Sequence, residues 1–354
     1  MKFSNSIVSG ACLAAGLIGL GAAPATAQEA DSLANSRFLS AGINLNPTDS
    51  SGHWAHIMPT VERAKRMAAS APAAPTLLLY HNGPIMPSIE VYNIFWVGKL
   101  QGGGTATLTA HYQTVANDFA SDYAGHSIDS ILTQYYQTPQ PNSLNYIHGL
   151  STAGTAGSYA GSVIDTDPFP ASGCTDTATP KNCITGAQLQ TEITKVLKAK
   201  GWTGGLNKIY LVYTGMGEGS CFDSNSSSCA YTAYCAYHSS IGSGPTAIIF
   251  GNEPYAAPNA CQDGTSPTGD PAADAAVSVA SHETSEATSD PFGTAWWDSN
   301  GQEIGDKCAW NYGVNSFDKV GSTYQANEAW NGRYYELQME FNNHIDGCSQ
   351  AGPN

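Results

Sequence analysis

A histidine and a glutamate four residues apart are the side chains of this chain best suited to chemistry. His282 and Glu286 lie in the run 277–291, whose small and apolar residues indicate a half-buried helix. Side chains four residues apart on a helix point in the same direction, one turn apart. The pattern His-Glu-x-x-Glu has the layout of a zinc-hydrolase helix, with Glu in place of the second His. His282 and Glu286 are therefore predicted metal ligands.

The third ligand must come from elsewhere, because catalytic zinc sites usually combine three protein ligands with a water molecule. Asp306 is the first choice, since Cys308 two residues later would anchor it. Glu303 is the second choice, and Asp298 is a further carboxylate in the same stretch. A carboxylate in place of the second histidine weakens the metal as a Lewis acid and favours harder ions.

Two more side chains are candidate catalytic groups. Glu283 directly follows His282 and is predicted to act as the general base, on a water molecule whose pKa the metal lowers. His238, in the run Tyr-Cys-Ala-Tyr-His, is a candidate donor to the developing oxyanion. Together these groups predict a hydrolytic reaction.

The acidic stretch 298–306 also permits other interpretations. Its oxygen-bearing side chains alternate around Gly301, as Ca²⁺ prefers, although the EF-hand spacing is incomplete. A plain polar turn at Asn300-Gly301 is the third interpretation. Zinc is the favoured cofactor, and calcium is the alternative.

Other histidines and rings have simpler interpretations. His81 follows a strand-like run and is predicted to cap a turn. Paired rings such as Trp296-Trp297 could stack on sugars, although packing is their more common use. Six histidines have no partner evident in the sequence: His53, His56, His111, His126, His148 and His344.

The N-terminus has the pattern of a secretory signal peptide over residues 1–27. A basic start precedes a short apolar run and an Ala-Thr-Ala cleavage site before Gln28. No later segment reaches the roughly 18 apolar residues that a membrane span needs. We expect a secreted chain, extracellular or periplasmic. It should have an N-terminal segment at 28–75, either a pro-segment or a wrap, and one domain at 76–354.

Cysteine content agrees with export. Of the 9 cysteines, only Cys12 lies in the signal peptide. The even number that remains favours disulfides. Short spacing favours Cys174–Cys183 and Cys221–Cys229, and elimination then gives Cys235–Cys261 and Cys308–Cys348.

The charge balance narrows the class of partner. The chain has 14 basic and 29 acidic residues, which gives a formal charge of −15. Such a chain suits neither nucleic acid nor an anionic membrane surface. The predicted partner is a peptide or protein substrate, or a cell-wall polysaccharide.

Periodicity predicts an α+β fold with a mixed β-sheet covered by helices. Strand-like runs lie at 76–80, 91–97, 208–213 and 247–250. Helical patterns lie between and around them, at 60–69, 105–123, 187–200 and 272–289. Loop-rich stretches at 149–186 and 215–244 contain most of the cysteines and indicate disulfide-stapled loops.

Several segments resemble the phosphate-induced, EXORDIUM-like family, in its bacterial secreted branch. Residues 77–84 and 91–99 resemble the family's opening, and 234–239 is similar to a Cys-Gly-Phe-His segment of plant members. The runs 281–291 and 301–308 are similar to bacterial relatives, and the resemblance extends to Cys348. It implies export to the wall or medium, a growth-related role as in plant members, and a peptidase-like ancestry with a zincin-like helix.

Two functions follow from these patterns. The first is a secreted zinc-dependent hydrolase, most simply a metallopeptidase, with Glu283 as the base. The second is a non-catalytic extracellular signalling or wall-binding protein with a structural zinc or calcium ion.

Overall fold

A central six-stranded sheet organises the molecule. The computed structural model describes residues 43–70, 77–140, 143–148, 158–256, 260–314 and 325–353. The predicted signal peptide lies outside these residues. The sheet order is β1-β10-β11-β8-β3-β6. These strands span His56–Pro59 (β1), Glu90–Trp96 (β3), Tyr159–Asp165 (β6), Lys208–Thr214 (β8), Tyr234–Ile241 (β10) and Ile248–Pro254 (β11).

The sheet is mixed. Strands β6, β3, β8 and β11 run parallel to one another, whereas β10 is antiparallel to β11, and β1 is antiparallel to β10. The prediction of an α+β fold with a mixed sheet covered by helices is therefore confirmed. The antiparallel edge brings the N-terminal part of the described chain against β10.

Five helices lie in the described residues. They are Val61–Ser70 (α1), Ala110–Asp122 (α2), Ser127–Leu132 (α3), Gly186–Lys200 (α4) and Pro271–Ser289 (α5). Helix α2 begins later than its predicted start at 105, because the Thr109 side chain caps the helix by accepting the N–H of Tyr112. Helix α4 begins with a capping box between Thr185 and Gln188.

Helices cover both faces of the sheet because the buried strand residues alternate between two cores. On β8, Leu211 and Tyr213 join a core with α2 and α5. Their neighbours Tyr210 and Val212 join a core with α4. Successive side chains of a strand point to opposite faces of the sheet, so this apolar run contributes to both helix layers.

Short two-stranded pairings surround the sheet. They are β2 with β12, β4 with β5, β7 with β9, β13 with β14, and β15 with β16. Their ranges are Leu79–Tyr80 (β2), Tyr136–Gln140 (β4), Ser143–Tyr146 (β5), Cys183–Thr185 (β7), Gly219–Cys221 (β9), Trp296–Trp297 (β12), Glu328–Trp330 (β13), Arg333–Tyr335 (β14), Glu340–Asn342 (β15) and Gly347–Ser349 (β16).

The four predicted disulfides are all present. They join Cys174 to Cys183, Cys221 to Cys229, Cys235 to Cys261, and Cys308 to Cys348. Such bonds are compatible with an extracellular protein. Among the described residues, no helix combines the length and apolar composition that crossing a membrane requires.

Three strand predictions hold in the central sheet, and one does not. The run 76–80 yields only the two-residue β2, which pairs with β12 outside the sheet. The stretches 149–186 and 215–244, predicted to be loop-rich, contain β6 and β10. Their Ser, Tyr and Gly content hid these strands, because pairing with a neighbouring strand overrides weak local preference.

Residues 43–70 of the predicted N-terminal segment pack into the body of the protein. Strand β1 forms the sheet edge, and Ile43, Leu45, Ile57 and Met67 are buried in the core beside α4. The division at residue 75 and the removal of 28–75 remain predictions. The described part of this segment nevertheless reaches the functional site.

Candidate metal centre

Helix α5 positions the site and is buried along its length. Pro271 stands in the first turn, and Asp270 caps the helix by accepting the N–H of Ala273 at 3.2 Å. Most of its side chains are small, so the helix packs closely between the sheet and the C-terminal segments. Asp290 and Pro291 end it, because the residue before proline disfavours helical geometry.

His282 and Glu286 meet as their spacing predicts. Nε2 of His282 lies 3.0 Å from Oε1 of Glu286, and neither side chain is exposed. On the other side of the ring, Nε2 of Gln338 lies 2.6 Å from Nδ1 of His282. This contact fixes the orientation of the imidazole ring. Gln338 is a site residue that the sequence reasoning missed.

Asp306 completes the predicted ligand set. It begins a 3₁₀ turn, Asp306–Cys308, and its N–H donates to Oε1 of Glu286 at 3.1 Å. One ligand atom each from His282, Glu286 and Asp306 lie within 4.8 Å of one another. The Cys308–Cys348 disulfide ties this turn to β16, as the sequence predicted. The three residues named as ligands from the sequence therefore converge.

Gly305 lets the Asp306 turn approach the helix. A Cβ atom at this position would lie 2.5 Å from Nδ1 of His282. Only glycine accommodates the ring there without a shift. Glycine is therefore required sterically before Asp306, and only the structure shows why.

Glu283 and His238 lie together beside the ligands. Nδ1 of His238 is 3.2 Å from Oε2 of Glu283, and its Nε2 is 3.3 Å from the carbonyl oxygen of Asp290. His238, Glu283 and Glu286 also offer ligand atoms within 4.8 Å of one another. Both ring nitrogens of His238 thus face protein atoms. The oxyanion-donor role of His238 stays a prediction, whereas its contact with Glu283 is direct.

His56 belongs to the site, although the sequence shows no partner for it. In the β1–β10 register it stands opposite His238, so both rings point to the α5 side. Its Nε2 lies 2.7 Å from Oδ2 of Asp306 and 3.8 Å from Oε2 of Glu286. The contact depends on pairing between two strands that are far apart in the sequence. The residues around His56 could therefore indicate a strand at most, and not its partner.

The other carboxylates of the acidic stretch divide between two uses. Nδ1 of His56 lies 3.2 Å from Oε1 of Glu303, which places Glu303 in the cluster beside Asp306. Oδ1 of Asp298 instead accepts the N–H groups of Asn300 and Gln302, and its Oδ2 lies 3.1 Å from Nζ of Lys307. Asp298 therefore shapes its own turn, whereas Glu303 and Asp306 face the cluster.

The pKa shifts favour the charged forms of His282 and Glu286 and the neutral forms of His238 and Glu283. Burial is the largest influence on His282 and would lower its pKa, but Glu286, Glu283 and Glu340 together outweigh burial and raise the pKa to about 10. Burial favours neutral Glu286, yet His282 and His56 lower its pKa to about 2. Burial lowers the pKa of His238 to about 3 and raises that of Glu283 well above its usual range.

Several buried polar atoms of the cluster have no hydrogen-bond partner, and they are what a cation would satisfy. These atoms are Nε2 of His282, Oε2 of Glu286, Oε2 of Glu303 and Oδ1 of Asp306. The 3.0 Å approach of His282 to Glu286 is thus a close contact without hydrogen-bond geometry. Unpaired charges are rarely buried unless they coordinate metal or pair. A mixed nitrogen and oxygen donor set fits Zn²⁺.

The ring pair proposed for sugar stacking is used in packing. Trp296 and Trp297 are each 6% exposed. The Trp296 ring contacts Tyr80, and Trp297 stacks on His81 with ring centres 3.3 Å apart. These two rings therefore offer little surface to a polysaccharide, and that partner remains a prediction.

The fold and the cluster define the class of protein. It is an α+β protein with helices on both faces of the sheet and a buried cluster of imidazoles and carboxylates. Comparisons with family models, curated proteins and solved structures give no match to this chain. The resemblance to the EXORDIUM-like family therefore stays a prediction, and the site is interpreted from its own geometry.

Proposed function

We propose that this chain is an exported, metal-dependent hydrolase that cleaves peptide bonds. The convergence of His282, Glu286 and Asp306 around a common point, with Glu283 adjacent, carries the proposal. Asp306 joins this set through a separate turn, so the convergence does not follow from the spacing of His282 and Glu286 alone. The disulfides support export.

Each residue then has a role that follows from its contacts. His282, Glu286 and Asp306 would hold the ion. When bound, Zn²⁺ supplies a Lewis acid that polarises the scissile carbonyl and makes water more acidic. Glu283 takes a proton from the attacking water and delivers it to the leaving amine as the C–N bond breaks. His238 orients Glu283 through the 3.2 Å contact between Nδ1 and Oε2.

The proposal is tested by metal content and turnover measured together. Protein purified without chelator should contain about one tightly held zinc ion per chain. The substitution Glu283→Gln should keep the metal and reduce peptide hydrolysis by about 10²- to 10⁴-fold, the usual contribution of a general base. Protein that binds no metal, or a Glu283→Gln variant with full activity, would rule out this mechanism.

A second candidate function is a non-catalytic extracellular protein with a structural metal. Full burial favours it: His56, His238, His282, Glu283 and Glu286 are all 0% exposed, which suits a closed structural site. In that case the metal stabilises the fold, and Glu283→Gln leaves function unchanged. Loss of thermal stability on chelation, without any peptide hydrolysis by the parent or by protein from which residues 43–70 have been released, would select this candidate.

A further inference from the structure

Strand β1 lies across the candidate site as an extended edge strand. Residues 56–59 pair antiparallel with β10, and His56, Ile57 and Met58 stand opposite His238, Tyr237 and Ala236. The other edge of β10 is already occupied by β11. Backbone pairing with an exposed strand edge is a common way for proteins to bind extended peptides. Strand β1 thus has the geometry of a bound peptide.

Alternate residues of β1 divide between the core and the site. Ile57 is buried in the core beside α4. His56 and Met58 point the opposite way, toward α5. The Met58 N–H donates to Oε1 of Glu283 at 3.2 Å, and Nε2 of His56 lies 2.7 Å from Oδ2 of Asp306. This strand therefore contacts both the proposed base and a proposed ligand.

These contacts also account for the burial of a site that would need access to substrate. While Oε1 of Glu283 accepts the Met58 N–H, that oxygen is not free to take a proton from water. The imidazole of His56 stands beside Asp306 and Glu286, where it would add a nitrogen donor to the ligand set. A histidine in that place closes the open position that catalytic zinc sites retain.

We infer that residues 56–59 occupy the position of an extended peptide substrate, so that the N-terminal segment holds the hydrolase in a latent form with His56 as an additional ligand. This inference rests on the proposed function and names its substrate class, an extended polypeptide that adds a strand to β10. It also assigns residues 43–70, which contain β1 and α1, a regulatory role. Activation then requires displacement of β1.

The test compares the intact chain with one that is cut after folding. A specific protease sequence is placed between Ser70 and Leu77, the purified protein is loaded with Co²⁺, cut, and chromatographed in mild urea to release the segment. A tethered segment acts at roughly millimolar effective concentration. Its release should therefore raise kcat/KM on an unstructured fluorogenic peptide by about tenfold or more. The Co²⁺ absorption spectrum should change at the same time.

Two point variants distinguish metal ligation by His56 from simple covering of the site by β1. His56→Gln retains a donor toward Asp306 but removes the imidazole, and it should change the Co²⁺ spectrum of the intact chain. His53→Ala is the matched control, because His53 lies in the same segment and pairs with Asp49 outside the cluster. A synthetic peptide covering residues 53–60 should restore inhibition of the cut protein, and the same peptide with His56→Ala should inhibit less.

The outcomes distinguish this inference from the proposed function. If release and His56→Gln change the Co²⁺ spectrum but no form hydrolyses peptides, His56 is a ligand and the hydrolase assignment fails. If the intact chain already hydrolyses peptides at the rate of the cut chain, and His56→Gln has the parent spectrum, the latent form is overturned while the hydrolase stands.

Discussion

Nε2 of His282 and Oε1 of Glu286 lie 3.0 Å apart on one buried helix, with Gln338 behind the imidazole. Neither side chain reaches solvent, so their charges act on each other with little screening. Opposite shifts result, with the pKa of His282 raised to about 10 and that of Glu286 lowered to about 2. Because a ligating imidazole must be neutral, metal binding here must displace a proton from His282.

Replacement of the ligating imidazole should remove the metal. His282→Gln keeps much of the side-chain volume and a donor toward Glu286, but it lacks the ligand nitrogen. We expect metal affinity to fall by more than about 100-fold, beyond the 10- to 100-fold usual for outer-shell partners. Competition with a metal-responsive chelator measures the change. The control is His111→Gln at an exposed position on α2, which should retain the parent affinity.

The close approach of Gly305 to His282 predicts a steric effect. Gly305→Ala would place a methyl group 2.5 Å from Nδ1 of the ring. The ring or the turn that contains Asp306 must then move, so metal affinity should fall by about tenfold or more, as for other outer-shell disruptions. Gly347→Ala is the control, because its nearest atom would be the Ile345 carbonyl oxygen at 3.8 Å. Equal affinity in the two variants would contradict this account.

The disulfide beside the Asp306 turn should affect both stability and metal binding. Changing Cys308 and Cys348 to Ser together should lower the free energy of unfolding by about 2–4 kcal/mol. It should also weaken metal binding, because the turn Asp306–Cys308 loses its anchor to β16. Removal of Cys174–Cys183 is the control, since that pair packs with Cys221 and Cys229 rather than with the cluster and should alter stability alone. Denaturant titrations and metal competition measure the two effects.

The buried carboxyl of Glu218 predicts a pH dependence of stability away from the metal centre. Burial, and then the charge of Asp176, raise the pKa of Glu218 from 4.5 to about 8. Below pH 4.5 the group is protonated in both the folded and the unfolded state. Between pH 4.5 and 8 only the folded chain keeps the proton, so stability falls as pH rises through this window, and above pH 8 the loss is complete.

Glu218→Gln should remove that contribution. One pKa unit corresponds to about 1.4 kcal/mol, so the variant should gain about 1 kcal/mol or more relative to the parent between pH 5 and 8. Urea titrations across this range measure the difference. Parallel pH profiles for the variant and the parent would show that burial does not hold the proton on Glu218.

The local sequence determined several helices and strands, the disulfides and one pair of site residues. A spacing of four places His282 and Glu286 together on any helix, and Asp290-Pro291 ends α5 because proline excludes helical geometry before it. The strands at 91–97 and 208–213 were predictable because each run is rich in β-branched and aromatic residues, and their side chains are buried on both faces of the sheet. The cysteine spacing likewise predicted the disulfides.

Tertiary structure decided the rest, because the remaining contacts join segments that no local pattern links. His56 enters the site only through the antiparallel pairing of β1 with β10, which places it opposite His238. Asp306 and Glu303 both face the cluster, whereas Asp298 turns to Lys307, and their identical charges could not predict this division. Burial of the whole cluster is likewise a property of packing, since it depends on which strand covers helix α5.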